Sequence, residues 1–169
     1  MSEQKNEVAA EIVRGILAAA GNMFTEEQKS VALKWLDHDW IPAEIVGGVL
    51  EEMYEQQGEE RLRTLGRAVP YTLKPKFEAM GVNTPRAGLE AMGMVHAMVT
   101  RGPDVGERKV VAGGENWAEV EDTTLWNCVF EAGVLQGVVR VCGGKNVQYT
   151  EKECVRKGDG RCLHRFEWE

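Results

Sequence analysis

The sequence predicts an α+β fold, in which a helical first part is followed by a small antiparallel sheet crossed by one helix. Apolar residues recur at helical spacing over the first two-thirds of the chain. After Arg101 the period changes, and short runs of alternating apolar and polar residues stand on either side of one further helical pattern. The chain has 169 residues, of which 43% are hydrophobic. It can therefore bury a core without needing a disulfide or a metal.

Residues that start or break helices mark the elements of the first part. Thr25 followed by Gln28 is a capping-box candidate that opens the second helix. Pro42 suits the first turn of the third helix, and Pro70 and Pro75 divide the stretch after it into one or two short helices. The helices are predicted over residues 8–20, 25–36, 43–57, 61–80 and 84–100.

The last third of the chain predicts strands around a helix. One hairpin is predicted from strands 108–112 and 117–120, and a second lies at the C terminus, where residues 157–160 are typical of a turn. Between the hairpins, residues 125–141 predict a helix. The small residues Ala132, Gly133 and Gly137 on this helix indicate close approach to a sheet or to a partner helix.

The charge balance excludes several classes of partner. A net charge of −7 argues against nucleic acid and anionic membranes. No apolar run approaches the roughly 18–20 residues that cross a bilayer, and the mixed charges at the start do not resemble a secretory signal. We therefore expect a cytoplasmic protein whose four cysteines are thiols or metal ligands. P-loop, dinucleotide-binding and His-Glu-x-x-His patterns are absent.

Three cysteines converge in the predicted C-terminal part. Cys154 and Cys162 flank the hairpin turn, and Cys128 lies near the start of the preceding helix. Two or three thiolates with one carboxylate would suit a tetrahedral zinc ion. The alternative is that these are ordinary buried thiols in a sheet. A cysteine–histidine nucleophile has no local signature in the sequence.

The stretch 126–168 resembles the 4-vinyl reductase (hydrocarbon-binding) domain family, which includes the sensor domain of phenol-responsive transcriptional activators. The resemblance rests on the small-residue helix followed by Glu-x-x-Cys and by Gly-Asp-x-x-Cys before an aromatic terminal strand. It implies zinc bound by Cys128, Glu151, Cys154 and Cys162. In a straight strand Glu151 and Cys154 would face opposite sides. Either a bulge brings them together or Glu153 serves instead.

The same resemblance implies a fold like that of a TRAPP subunit, with an apolar pocket enclosed by helices and a small sheet. In the phenol sensors a histidine and a tryptophan anchor the ligand. The corresponding candidates in this chain are His96, Met92 and Trp117. The alternative is a core histidine with its polar atoms satisfied, surrounded by methionines that fill the core.

These expectations combine into one functional hypothesis. Residues 1–60 would form a helical arm that makes a homodimer, and residues 61–169 a ligand-binding domain with a C-terminal zinc-binding hairpin. The function would be that of a zinc-stabilised sensor or carrier of an apolar or aromatic molecule, reporting to a separate signalling partner. The alternative is an enzyme or accessory subunit in tetrapyrrole 4-vinyl reduction, or a cysteine-dependent hydrolase.

Overall fold

A computed structural model describes residues 5–169 of the chain and confirms the α+β class. The described helices are α1 (Ala10–Ala20), α2 (Glu26–Leu33), α3 (Ala43–Gln57), α4 (Glu59–Thr72), α5 (Lys74–Ala79), α6 (Pro85–Val99) and α7 (Cys128–Val141), with a short 3₁₀ turn at Val155–Lys157. The strands are β1 (Glu7–Ala9), β2 (Trp40–Pro42), β3 (Thr100–Arg101), β4 (Arg108–Gly113), β5 (Trp117–Asp122), β6 (Gln148–Glu153) and β7 (Cys162–Glu167).

The helical part contains a small sheet that the sequence did not predict. Its strands lie in the order β2-β1-β3, all antiparallel, and Val8 pairs with both Ile41 and Thr100. The prediction of a helix from residue 8 is therefore wrong for its first two residues. Strands of two or three residues are too short to show an alternating period, so the helical pattern that follows concealed β1.

The second sheet has the predicted antiparallel form. Its order is β4-β5-β7-β6, so the two hairpins meet along β5 and β7. Helix α7 packs along α4 and also contacts α6 and β7. Its residues from Cys128 to Val139 are all buried. The close approach that the small residues of α7 predicted is made to a partner helix, α4.

The residues that were predicted to start or break helices act largely as predicted. Thr25 and Gln28 form a complete capping box at the start of α2. That helix ends at Leu33, three residues before the predicted end. Pro70 does not end α4 but lies in its last turns, whereas Pro75 lies in the first turn of α5, where a missing N–H costs nothing.

The buried core draws on both predicted segments of the chain. Val8 and Leu50 belong to the same cluster as Leu62, Leu135 and Phe166. Dimerisation through residues 1–60 stays a prediction, as does the boundary at residue 60. Among the residues that the structure describes, no helix combines the length and the apolar character needed to span a membrane. The charged start of the chain lies partly outside the described residues.

Candidate functional site

A small cavity lies among the helices, at the point where the two sheets approach each other. Its volume is about 60 Å3. Elements α1, α3, α4, α6 and α7 supply most of its wall, and strands β1, β3 and β4 each contribute one residue. The apolar lining includes Ile12, Val69, Met92, Val95, Val99 and Val134. The cavity is therefore apolar over most of its surface, with polar groups confined to one end.

A buried ion-pair cluster forms the polar end. Arg108, the first residue of β4, donates from Nε to Asp122 Oδ2 at 3.1 Å, and its Nη2 also pairs with Glu131 Oε2 of α7. All three side chains are at most 6% exposed. Burial would raise the pKa of Asp122, but Arg108 and the hydrogen bonds donated by Thr124 outweigh it and lower that pKa. Two carboxylates thus share one guanidinium.

His96 lies beside this cluster, near the end of α6. Its Nε2 is 3.1 Å from the carbonyl oxygen of Val105. A carbonyl can only accept, so Nε2 must carry the hydrogen. Burial, and then the positive charge of Arg108, lower the pKa of His96 below its usual 6.5. The ring is therefore neutral at pH 7, and Nδ1 is left as an acceptor.

The three predicted cysteines do come together. Cys128, Cys154 and Cys162 are buried, and their sulfurs all lie within 4.8 Å of one another. Sγ of Cys128 is 3.3 Å from Sγ of Cys154, and no disulfide joins them. Hydrogen bonds from Cys128 lower the pKa of Cys162 to about 7, whereas burial raises the pKa of Cys154. Cys162 is thus the thiol of this group that ionises most readily.

The local backbone explains how the cysteines meet. The register of β6 against β7 shifts between Glu151 and Glu153, which marks a bulge. Cys154 follows the end of β6, and its backbone N–H donates to Asp159 Oδ2 at 2.8 Å. Gly158 has a φ of 98°, a left-handed conformation that favours glycine. The connection can therefore fold back and bring Cys154 against the arm that carries Cys162.

The predicted carboxylate ligand lies beside this group, because the side chain of Glu151 shares a hydrogen bond with Cys154. Glu151 pairs with Lys157, and the alternative, Glu153, pairs with Arg161 at 2.9 Å. Each carboxylate has a cation of its own, and the group of ligand atoms that all lie within 4.8 Å of one another consists of the three sulfurs. The assignment of Cys128, Glu151, Cys154 and Cys162 as metal ligands is not tested by this arrangement and stays a prediction.

The predicted ligand-binding residues are separated. His96 and Met92 lie on the cavity wall. Trp117 lies outside it in β5, and the guanidinium of Arg165 covers its ring at 4.1 Å from the centroid. A role in ligand binding stays a prediction for all three. The sequence analysis missed Arg108 and Glu131, although Glu131 is an acidic residue in the first turn of a largely apolar helix, which is a signal for a buried partner.

Comparison with known proteins identifies the fold. No known protein family and no curated protein matches the chain. An H-NOX protein from Shewanella oneidensis in the Fe(II)NO ligation state has a TM-score of 0.70 and 10% identity, covering 95% of this chain and 99% of that one. A variant of Tt H-NOX (TM-score 0.66, 18% identity) covers 95% of both chains. A Cs H-NOX mutant (TM-score 0.66, 19% identity) covers 95% of this chain and 96% of that one. The chain has the fold of H-NOX domains.

This likeness corrects the earlier resemblance. The structural neighbours are H-NOX domains and not 4-vinyl reductase or TRAPP-like proteins, so the predicted family is wrong and the TRAPP-subunit label is not confirmed. The zinc cofactor rested on that family and is corrected with it. The neighbours are described in terms of heme and Fe(II), and three buried thiols are weak evidence for a metal by themselves.

Heme itself can be tested against the residues of the cavity. His96 offers the imidazole that serves as an axial ligand in several heme proteins. However, a cavity of about 60 Å3 is far smaller than the roughly 300–1,000 Å3 of pockets that hold drug-sized ligands. Heme also carries two propionates, and Arg108, the cation at the cavity wall, is already held by two carboxylates. The residues present do not fit heme.

Proposed function

We propose that this chain is a small-molecule sensor domain that binds its ligand in the cavity beside His96 without heme. The observation that carries the proposal is the cavity itself, an apolar space with a polar group at one end, which is the usual arrangement of a ligand site. The H-NOX fold supports it, because neighbouring structures are described by their NO and CO ligation states. The proposal keeps the expectation of a ligand with apolar character, but this ligand is smaller than an aromatic molecule.

The volume limits the size of that ligand. An apolar cavity of roughly 150 Å3 is known to take up benzene or xenon. The cavity here is less than half as large, at about 60 Å3. A ligand that enters without moving the wall must therefore be smaller than benzene. Closely packed interiors resist expansion, so a larger ligand would have to displace side chains of several helices.

The position of the cavity supports a signalling role. Its wall includes α6 and α7, and Arg108 of the second sheet is linked to that wall through its pair with Glu131 of α7. An occupant that favours one arrangement of these elements over another would shift the population of the two states. A separate signalling partner, expected from the sequence, would respond to the shifted state.

Xenon provides a direct test of the cavity. Methyl signals of Val95, Val99 and Val134 are expected to shift in NMR spectra recorded under xenon pressure. The Val95→Phe variant fills the space and should abolish these shifts at the remaining valines. Val111→Phe is the matched control, because Val111 is 44% exposed and lies away from the cavity. No shift in the wild-type protein would contradict the proposal.

Hemin binding is the second test of the proposal. The protein and an H-NOX domain from Shewanella oneidensis are incubated with hemin under the same conditions, and their absorption spectra are compared. We expect a stoichiometric heme band for the H-NOX domain alone. A stoichiometric band in this protein that disappears in His96→Ala would show that the site opens to heme, and the heme-free proposal would then be wrong.

A further inference from the structure

The polar end of the cavity is rich in acceptors and carries an excess of negative charge. Arg108 contributes one positive charge, and Asp122 and Glu131 contribute two negative charges. His96 is neutral and leaves Nδ1 as an acceptor, since its Nε2 donates to Val105. Thr100 also lines the cavity, but its hydroxyl already donates to the carbonyl of His96 at 2.7 Å.

Such an environment selects among ligands of equal size. A buried charge is costly when it is left unpaired, so the excess carboxylate offers a partner to a small cation and repels a small anion. Hydrogen bonds from an ammonium to a carboxylate are charge-assisted and stronger than those of neutral donors. Glu131 lies on the cavity wall itself, 3% exposed, and its partner Arg108 is shared with Asp122.

We infer that the cavity binds a small alkylammonium, with its alkyl group against the valines and its ammonium toward Glu131 and His96. This inference rests on the proposed function, because it names the ligand class of the same cavity. The charge excess also disfavours the dianionic propionate edge of a heme at this wall. The ligand is thus expected to be cationic, whereas heme, which is named in the descriptions of the structural neighbours, is anionic.

Three probes of similar size separate the effect of charge from that of volume. Ethylammonium, ethanol and acetate are titrated separately into the full chain at constant ionic strength, and binding is followed by methyl NMR. Few atoms make contact, so dissociation constants in the millimolar range or weaker are expected. Ethylammonium should bind at least about tenfold tighter than ethanol, and acetate should not bind. Tetraethylammonium is the control for charge without fit, because it is too large to enter.

Two variants remove the charge excess in different ways. Glu131→Gln removes a carboxylate of the cavity wall, and Asp122→Asn removes the same formal charge behind Arg108. Each should reduce the preference for ethylammonium to about the level of ethanol. Asp122→Asn keeps the experiment decisive if Glu131→Gln does not fold, which circular dichroism would reveal.

The outcomes distinguish the inference from the proposed function. Xenon binding together with a selective ethylammonium response supports both. Xenon binding with equal or tighter binding of ethanol or acetate, or with no binding of ethylammonium, overturns the inference and leaves the sensor cavity in place. The inference is also overturned if both variants keep the wild-type preference for ethylammonium over ethanol. Absence of xenon binding overturns the proposed function itself, and the inference with it.

Discussion

Helices α4 and α7 lie so close together that Gly133 has no room for a side chain. A Cβ at this position would lie 3.1 Å from the backbone nitrogen of Arg67 and still closer to the carbonyl oxygen of Arg63. Both neighbours are backbone atoms of α4, which cannot rotate away. Gly133→Ala must therefore push the two helices apart, and overpacking of this kind costs about 1–3 kcal/mol.

The magnitude follows from two opposing effects. Replacing a mid-helix glycine with alanine gains about 0.5–1 kcal/mol from reduced chain entropy. We expect the packing cost to exceed this gain and the free energy of unfolding to fall by about 1–2 kcal/mol. For a domain of this size, the Tm should then fall by roughly 2–8 °C.

Gly48 in α3 is the matched control for this prediction. It is also inside a helix, but a Cβ there would meet nothing within 4 Å. Gly48→Ala should therefore raise the free energy of unfolding by about 0.5–1 kcal/mol. Urea unfolding measures both variants, provided that the m-value stays constant. If Gly133→Ala is as stable as Gly48→Ala, the close packing of α4 on α7 is refuted.

Three further predictions concern buried charge, pH and helix capping. Arg108→Leu leaves two buried carboxylates unpaired and should cost about 3–5 kcal/mol in urea unfolding, whereas Arg86→Leu, at an exposed pair, should cost less than about 1 kcal/mol. Burial lowers the pKa of His164 from 6.5 to about 4, so the unfolded chain binds the proton first as the pH falls. The free energy of unfolding should therefore decrease by about 3 kcal/mol between pH 6.5 and pH 4. His164→Gln should remove that loss, whereas His38→Gln, at an exposed histidine, should not. Thr25→Ala removes the capping box of α2 and should cost about 1 kcal/mol, measured in the same way.

The sequence predicted those elements whose signals are local. Helix α3 begins at Ala43 and ends at Gln57 as predicted, because Pro42 and Gly58 stand at its two ends. Helix α6 begins at Pro85, where Thr84 accepts a hydrogen bond from Ala87 N–H. The sheet of β1, β2 and β3 was missed because its strands pair over distances of tens of residues and are too short to carry a period of their own.

The cysteine cluster was predicted in part, because the pairing of two hairpin arms determines which residues of the arms meet. Antiparallel pairing brings both arms together whatever the side chains are, so the approach of Cys154 and Cys162 followed from the turn alone. Whether Glu151 joins the three cysteines as a metal ligand stays a prediction. The Glu151 side chain pairs with Lys157, and no spacing in the sequence reveals such a pairing.

The polar end of the cavity was missed for a related reason. Arg108, Asp122 and Glu131 come from β4, β5 and α7, and only the packing of these elements brings them together. One of these residues was nevertheless recognisable in the sequence. A charged residue inside an apolar helix is almost never buried unless it is paired, so Glu131 indicated a cation elsewhere in the chain. Which cation it was could not be read without the fold.

The H-NOX likeness shows the fold alone, so the ligand has to be argued from the chemistry of the cavity. An imidazole at His96 is compatible with heme iron when considered alone. The carboxylates beside it change what the site can accept, because they occupy Arg108 and leave negative charge at the wall. Heme could enter only if the apolar walls moved apart, and that change would remove packing that stabilises the fold. In our proposal, therefore, His96 marks where a ligand binds, and Glu131 determines which kind of ligand it is.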